Sequence, residues 1–510
     1  MSSNRSCKIR RRIAARVDEV RDTGDRARWK RVALGGLLVA TPLRSPAASA
    51  AITHCHTRAA ADSSFTIDVK MPAPGSAGGV CTDFFTAVNK DWIERTTLPV
   101  DPSDTVQTLG VKYDTIHVDN YALVARDVQR TMLQILTEAR AAAPTTKDPV
   151  TRVLGTFYNS CMVTPPSDST TRVKATDGGG SRCVAETDQV LGNALGRAYV
   201  SRMTTPATIA RVQALAEQLR GAMATRIRAL PWMSPTTKQH ALQKLMTMRF
   251  RIGNADKVED YSQLDLSPTD YTGNLTKVRY LEYQNSMKAM GGSPDTTTML
   301  FRQYEVNAQY IPTVNAIEVP VVLFQEPFFN PNADAVENYA GLAEIMGHEM
   351  THGFDGNGAG YDENGKHDNW WLPDDYTKFT TEYTKLIHQY DAFTVDGQPV
   401  NGGKTLNENM ADLGGLNLAF DVYMRGIGKS THGRTAGMTP EQRFFLAFAA
   451  TERSKSSPNH AKYMLDRDPH APNRWRVNGV LANMPAFAKA FGCKPGDPMV
   501  LPPAARSRIW

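Results

Sequence analysis

Apolar residues recur every three to four positions over long stretches of the first half of the chain. Residues 121–143 and 187–230 show this spacing, which is typical of helices that bury one face. Ser234 and Pro235 supply an N-cap and a proline at the first helical position, and Gly253 is placed to end that helix. The first half of the chain is therefore predicted to be mainly helical.

The second half of the chain has a different pattern. Residues 304–329 are rich in Val, Ile and Tyr and are interrupted by prolines, a combination that predicts edge strands. Residues 338–354 and 406–425 are predicted to be helices. The sequence thus predicts a mainly α protein with a small β-sheet, of the α+β class.

Changes in composition divide the chain into four parts. Residues 1–50 form a basic leader, and residues 51–80, rich in Ala, Ser, Gly and Pro, form a linker. A mainly helical region is predicted at 81–300, with a polar, Gly-rich bridge at 164–181. The remaining region, 301–510, contains the predicted strands and the motifs described below.

The net charge of +6 is concentrated in the leader. Residues 1–50 contain 12 Lys or Arg and 4 Asp or Glu, whereas the rest of the chain contains 46 and 48. A nearly neutral body gives no electrostatic reason to expect nucleic acid as a partner.

The leader has the features of an export signal. Eleven of its twelve basic residues precede a short apolar run at 32–43, which is followed by Ala48-Ser49-Ala50. This run is too short to span a bilayer as a mature helix, so we expect a secreted or periplasmic protein without a mature transmembrane helix. A disordered basic tail, or a start codon placed too early, would also explain the leader.

The cysteine pattern argues against a cysteine zinc site. None of the six cysteines lies in a Cys-x-x-Cys pair. Export would permit disulfides. Cys7 would be removed with the leader, which leaves one of the other five unpaired, and Cys55 is the candidate.

The strongest chemical signal is the segment His348-Glu349-Met350-Thr351-His352. Two histidines at i and i+4 project from one helix face, so both imidazoles can reach the same metal ion. Glu349 lies on an adjacent flank, where it can act as general base toward a water that the metal polarises. The alternative is a pair of surface histidines on an amphipathic helix.

A third metal ligand is available on the second predicted helix. Catalytic zinc needs three protein ligands and one open position. Glu408 and Asp412 lie at i and i+4, so one carboxylate can bind zinc while the other hydrogen-bonds a ligand histidine. Two solvated acids on a helix face are the alternative, but their occurrence 56 residues beyond His352 argues against coincidence.

These motifs resemble those of the neprilysin-like zinc endopeptidases. The family's H-E-x-x-H and E-N-x-x-D elements match residues 347–355 and 408–412. The other matching segments are Val306-Asn307-Ala308-Gln309-Tyr310, His470-Ala471-Pro472-Asn473-Arg474-Trp475-Arg476, Phe491-Gly492-Cys493-Lys494-Pro495-Gly496, Cys81-Thr82-Asp83-Phe84-Phe85 and Pro231-Trp232-Met233. The resemblance extends over most of the chain after residue 80.

The resemblance implies a thermolysin-like gluzincin catalytic domain at 301–510 that binds one zinc ion and hydrolyses peptides. It assigns zinc ligation to His348, His352 and Glu408, and the role of base and proton shuttle to Glu349. Asp412 would then orient a ligand histidine.

The resemblance also implies substrate contacts. Asn307 and the backbone of Ala308 would hold the substrate main chain, Arg476 would bind a substrate carbonyl, and His470 would stabilise the oxyanion. A fixed imidazole and a guanidinium are suitable donors to the negative charge that develops during attack on a peptide bond. Without the resemblance, His470 and Arg476 would be interpreted as part of a polar surface loop.

One large departure from the family concerns its helical lid. Family members carry this lid between the counterparts of Cys161 and Cys183, but only 21 residues separate these cysteines here. We therefore expect a reduced helical domain. The family's pairing implies the disulfides Cys81–Cys493 and Cys161–Cys183.

Three functions are weighed against one another. We expect a zinc metalloendopeptidase that acts on oligopeptides. The alternative is a zinc-binding pseudoenzyme or partner-binding protein that is inactive because its lid is incomplete. An amidase or aminopeptidase would need a grip on a free amine that the sequence does not provide. Glu344 and Gly356 depart from the family's usual residues, which leaves the substrate preference open, and the sequence also leaves oligomerisation open.

Overall fold

A computed structural model of the chain describes residues 71–72, 79–98, 105–108, 111–114, 116–164, 180–253, 259–290, 299–332, 335–426 and 437–510. The predicted leader, Cys55, most of the predicted linker and residues 165–179 of the predicted bridge lie outside these residues. The end of the bridge is corrected, because Gly180 and Ser181 already belong to a helix.

Helices make up most of the described residues. They are α1 Phe84–Arg95, α2 Asn120–Ala142, α3 Pro149–Val163, α4 Gly180–Met203, α5 Pro206–Ala229, α6 Pro235–Thr247, α7 Tyr271–Ala289, α8 Ala335–Asn338, α9 Glu344–His352, α10 Pro373–Asp391, α11 Leu406–Gly426, α12 Pro440–Thr451, α13 Pro458–Arg467, α14 Asn473–Ala482 and α15 Pro485–Phe491. A π-helical turn, Tyr339–Ala343, joins α8 to α9. Among these helices, none combines the length and the apolar character that crossing a bilayer requires.

The described strands are short. They are β1 Thr105–Thr108, β2 Val111–Asp114, β3 His117–Asp119, β4 Arg249–Ile252, β5 Gln309–Ile311, β6 Ala316–Val319, β7 Thr394–Val395, β8 Gln398–Pro399 and β9 Ser454–Ser456. The largest sheet has three strands in the order β4-β6-β5. The prediction of a mainly α protein with a small β-sheet is confirmed.

Two helix boundaries differ from those predicted. The apolar stretch at 187–230 forms two helices, because Thr205 caps α5 by accepting a hydrogen bond from Thr208 N at 3.2 Å, with Pro206 at the first helical position. The helix that begins after Ser234 ends at Thr247 and not at Gly253.

The residues between Thr247, where the helix ends, and Gly253, where its end was predicted, form a strand that the sequence did not predict. Arg249–Ile252 pairs in parallel with Ala316–Val319, and this non-local pairing is invisible to local periodicity. The segment at 304–329 contains one edge strand, β5, but β6 lies in the centre of the sheet. The sheet therefore joins the predicted helical region to the predicted catalytic region.

The described residues contain two disulfides. Cys81 is bonded to Cys493, and Cys161 is bonded to Cys183. Both pairings implied by the resemblance are confirmed. Beside the first disulfide, the ring of Phe84 packs edge-on against the rings of Phe487 and Phe491, so the first described helix is held against the last.

Glycines allow α9 and α11 to cross at close range. A Cβ atom at Gly347 would lie 2.9 Å from the Gly415 main chain, and one at Gly415 would lie 2.5 Å from His348 N. Larger residues would force the two helices apart. The crossing thus brings Glu408, in the first turn of α11, next to the histidines of α9.

Candidate metal centre

Three side chains from two helices converge on one point. The Nε2 atoms of His348 and His352 are 3.0 Å apart. Glu408 Oε2 lies 3.2 Å from His348 Nε2 and 3.4 Å from His352 Nε2. The structure therefore brings the three predicted ligands together.

The donor atoms of this cluster suit a metal ion. Glu408 Oε2 is buried and accepts no hydrogen bond, although ring nitrogens surround it. A buried ionised carboxylate is costly unless a cation or a donor compensates it. Burial raises the pKa of Glu408, but the neighbouring His470, His348 and His352 outweigh burial and hold it well below the usual value. Two imidazoles and one carboxylate form a common ligand set of catalytic zinc, so these residues fit zinc.

Each of the two histidines has its other ring nitrogen against a carboxylate. His348 Nδ1 lies 2.8 Å from Asp412 Oδ1, and His352 Nδ1 lies 2.7 Å from Asp355 Oδ2. Such partners hold the proton on Nδ1 and leave Nε2 free to bind a metal. Asp412 was predicted to have this position, whereas Asp355 was missed. Its signal was present in the sequence, because Asp355 follows His352 by three residues.

Asp412 competes with Glu408 as a candidate ligand. Oxygen and nitrogen atoms of Glu344, His348 and Asp412 also lie close enough together to hold an ion. Asp412, however, accepts hydrogen bonds from Arg476 Nε at 2.9 Å and from Arg476 Nη2 at 2.6 Å. Although burial raises the pKa of Asp412, the Arg476 guanidinium lowers it below the usual value. Its charge is therefore already compensated, whereas that of Glu408 faces the histidines.

A cavity of about 310 Å³ lies in front of the cluster. Its described lining residues are Asn307, Ala308, Gln309, Tyr310, Pro312, His348, Glu349, His352, Asp355, Asn357, Gly358, Asn407, Glu408 and His470. Glu349 is buried, and burial raises its pKa while the charges of His348 and His352 lower it. A carboxylate thus faces the same space as the three candidate ligands.

His470 lies at the rim of this cavity. Its Nε2 is 3.1 Å from Glu408 Oε2, and its Nδ1 is 2.8 Å from Asp468 Oδ1. Burial lowers the pKa of His470, but the charge of Glu408 and the hydrogen bond with Asp468 raise it to about 9. Asp468 was missed in the sequence, where its position two residues before the histidine is a weak signal.

Two residues singled out in the sequence lie behind the cluster and not in the cavity. Arg476 faces Asp412 and is absent from the described cavity lining. Glu344 is buried beside Asp412, and burial together with the charge of Asp412 raises its pKa to about 8. Glu344, where the sequence departs from the family, therefore lies beside Asp412, the carboxylate that contacts His348, and is not among the described residues of the cavity wall.

Asn307 and Ala308 lie on the opposite wall of the cavity, immediately before β5. This strand pairs antiparallel with β6 on one side, and it is the last strand of its sheet. Gln309 and Tyr310 of this strand also line the cavity.

Comparison with known proteins places the chain in a family. Residues 307–507 match the model of Peptidase family M13, and residues 167–255 match a second model of the same family. The chain belongs to peptidase family M13. The first match contains all three candidate ligands and the whole described cavity lining.

Curated members of the family are similar over part of their length. Neprilysin-3 of Drosophila melanogaster is 30% identical over 371 residues, which are 69% of this chain and 47% of the relative. Human Endothelin-converting enzyme 1 is 32% identical over 342 residues, which are 64% of this chain and 44% of the relative. The M13 chain described here thus spans less than half the length of these relatives.

Solved structures of M13 peptidases are also similar to this chain over part of their length. The Mycobacterium tuberculosis zinc metalloprotease Zmp1, crystallised with an inhibitor, superposes with a TM-score of 0.60 and 33% identity, covering 73% of this chain and 56% of the other. PepO from Lactobacillus rhamnosis gives a TM-score of 0.57 and 30% identity, covering 64% and 51%.

Proposed function

We propose that the chain is a zinc metalloendopeptidase that hydrolyses peptide bonds in oligopeptides. The observation that carries this proposal is the buried oxygen of Glu408, which accepts no hydrogen bond and faces His348 Nε2 and His352 Nε2. The Nδ1 atoms of both histidines lie against carboxylates, as in zinc sites whose ligands are oriented by hydrogen bonds. One zinc ion per chain is expected on these three residues.

Glu349 is the proposed general base. When bound, zinc would supply a Lewis acid that lowers the pKa of a water to about 7. Glu349 lines the cavity beside the ligands and has no assigned ligand role. It would take a proton during attack on the substrate carbonyl and return it to the departing amine.

His470 and the edge of β5 are the proposed substrate contacts. The imidazole of His470, fixed by Asp468, would donate to the carbonyl oxygen as negative charge develops on it. An extended peptide would add to the open edge of β5 through main-chain hydrogen bonds, with Asn307 and Ala308 holding it. For Arg476 the contact with Asp412 supports a role in orienting His348, and the substrate-carbonyl role stays a prediction.

Location outside the cytoplasm is part of the proposal. Two disulfides are present, and disulfides persist in oxidising compartments. This agrees with the export signal that is predicted in residues 1–50.

A second candidate function is zinc-dependent binding without catalysis. It is favoured by the length comparison, because the M13 relatives align with this chain over less than half of their own length. Hydrolysis of a quenched fluorescent oligopeptide, with and without a chelator and with zinc restored, separates the two functions. Turnover that is lost with the metal and restored by zinc supports the peptidase, whereas zinc binding without turnover supports the binding protein.

A further inference from the structure

A lysine is buried beneath the candidate metal centre. Lys244, on α6, is 1% exposed. Its Nζ donates hydrogen bonds to Gly358 O and Tyr361 O, both at 2.7 Å. The rings of Phe354 and Tyr310 flank the ammonium, with centroids at 5.6 Å and 5.8 Å. A buried lysine of this kind is retained only when its donors are satisfied.

The first of these bonds leads to a candidate metal ligand. Gly358 accepts from Lys244 through its carbonyl, and its N–H donates to Asp355 Oδ1 at 2.7 Å. The other oxygen of Asp355 lies 2.7 Å from His352 Nδ1. Lys244 is thus joined to the metal-facing imidazole through a single peptide residue and one carboxylate.

Close packing leaves this loop little room. A Cβ atom at Gly358 would lie 1.8 Å from His352 O, so the loop rests directly against the end of α9. The position of Asp355 against His352 therefore depends on where this loop lies. The two bonds from Lys244 attach this loop to α6 near Asp355, while Gln243 and Thr247 of the same helix hydrogen-bond Glu363 farther along the chain.

The same lysine is tied to the opposite wall of the cavity. Lys244 O accepts a hydrogen bond from Asn315 Nδ2 at 3.0 Å, and Asn315 Oδ1 accepts one from the Tyr310 hydroxyl at 3.0 Å. Tyr310 belongs to β5, the strand proposed to hold the substrate. Lys244 therefore links both walls, the loop that begins at Asp355 and the edge strand.

We propose that Lys244 is a positioning residue, which sets the orientation of His352 through Gly358 and Asp355. The inference rests on the proposed zinc site, because its effect is exerted on a zinc ligand. It does not require Lys244 to touch zinc or substrate.

The bonds do not depend on the charge of Lys244. The groups that face it electrostatically are Asp355, Asp362 and Glu363; burial lowers its pKa to about 7 in spite of their negative charges. A neutral amine keeps two N–H groups, which suffice for the two carbonyls. The substitution that tests the proposal must therefore remove the donors and not only the charge.

The test is Lys244→Met, which keeps the length of the side chain and removes its donors. Zinc affinity of the full chain is measured by competition with a chelator, and thermal unfolding of the zinc-free chain is measured alongside. We expect zinc to bind about 10–100-fold more weakly, as when a group that orients a ligand is lost. If Lys244→Met does not fold, Lys244→Leu, which also lacks donors, is put through the same competition.

Lys455→Met is the matched control. Lys455 also donates to two main-chain carbonyls, Ile93 O at 2.8 Å and Thr96 O at 2.6 Å, but these lie at the end of α1 and neither residue lines the described cavity. The Lys455→Met substitution should lower the unfolding temperature without changing zinc affinity. Equal zinc affinity in Lys244→Met and Lys455→Met would overturn the proposal.

A double-mutant cycle tests the route through Asp355. In an Asp355→Ala background, Lys244→Met should change zinc affinity by less than about 2-fold, since coupled residues are not additive. An undiminished effect of Lys244→Met in that background would contradict the proposed route. Absence of zinc binding by the unsubstituted chain would instead overturn the proposed function, so the two failures are distinguishable.

Discussion

Arg476 grips Asp412 with two parallel hydrogen bonds, and the same carboxylate holds His348 Nδ1 at 2.8 Å. The guanidinium is therefore connected to the candidate zinc ligand His348 through the carboxylate of Asp412. A bidentate pair of this kind fixes a carboxylate in orientation as well as in charge. Through this connection Arg476 should influence zinc affinity whether or not it contacts the substrate.

Replacement of Arg476 separates these two roles. Arg476→Met should weaken zinc binding, because it leaves the carboxylate of Asp412 buried without its cation and free to reorient. Arg474→Met is the control, since Arg474 pairs with Asp83 at 3.0 Å and is about half exposed. Chelator competition should show a loss for Arg476→Met alone. Unchanged zinc affinity with a raised KM would favour the substrate-carbonyl role instead.

Glu408 and Asp412 should differ sharply in their effect on bound metal. Glu408→Ala removes a proposed ligand and should release most of the zinc. Asp412→Ala removes a group that orients His348 and should cost about 10–100-fold in affinity or activity. Metal content after dialysis distinguishes the variants. Loss of zinc from Asp412→Ala but not from Glu408→Ala would reverse the two assignments.

The disulfide between Cys81 and Cys493 should contribute more to stability than the disulfide between Cys161 and Cys183. It links residues 412 positions apart, whereas Cys161 and Cys183 are 22 apart. Chain-entropy reasoning assigns about 3 kcal/mol to a short loop and about 5 kcal/mol to a very long one. Denaturant unfolding of the two double Cys→Ser variants compares them. A larger loss for the Cys161–Cys183 pair would contradict the entropic account.

The short stretch between Cys161 and Cys183, where the family has its lid, should relax the selection of substrates by size. The cysteines that flank the family's lid are bonded across a short stretch of this chain, so the zinc face should be more open than in longer relatives. Cleavage of a ten-residue peptide is compared with cleavage of reduced, unfolded casein. Both should be cut, at a modest rate because an open site excludes water less well. Efficient cleavage of the peptide alone would show that the site is still enclosed.

The proposed metal ligands could be predicted because helical periodicity fixes their relative placement. Spacing of i and i+4 puts His348 and His352 on one face, and the same spacing offered Glu408 and Asp412 as alternatives. Which carboxylate meets the metal depends on how α9 and α11 cross, and therefore on Gly347 and Gly415. The resemblance to a family supplied that choice before the geometry was known.

The contacts behind the site could not be predicted from local sequence. Lys244 lies 114 residues before Gly358, and no periodicity relates the two. Strand β4 was mistaken for the end of a helix because its stability comes from pairing with β6. Arg476 was expected to face the substrate, and only the packing around α11 shows that it bonds Asp412.

The proposed role of Glu349 as the base of a zinc peptidase is tested by replacing its carboxylate at constant zinc content. Hydrolysis of a quenched fluorescent peptide is compared between the unsubstituted chain and Glu349→Gln, both loaded to the same zinc content. Glu94→Gln, on the exposed surface of α1 beside Lys90, serves as the control. Glu349→Gln should lower turnover by about 10²–10⁴-fold or more with zinc near one per chain, while Glu94→Gln should leave it unchanged. Retained hydrolysis in zinc-loaded Glu349→Gln would contradict the assignment, and no hydrolysis by the zinc-loaded unsubstituted chain would contradict the peptidase itself.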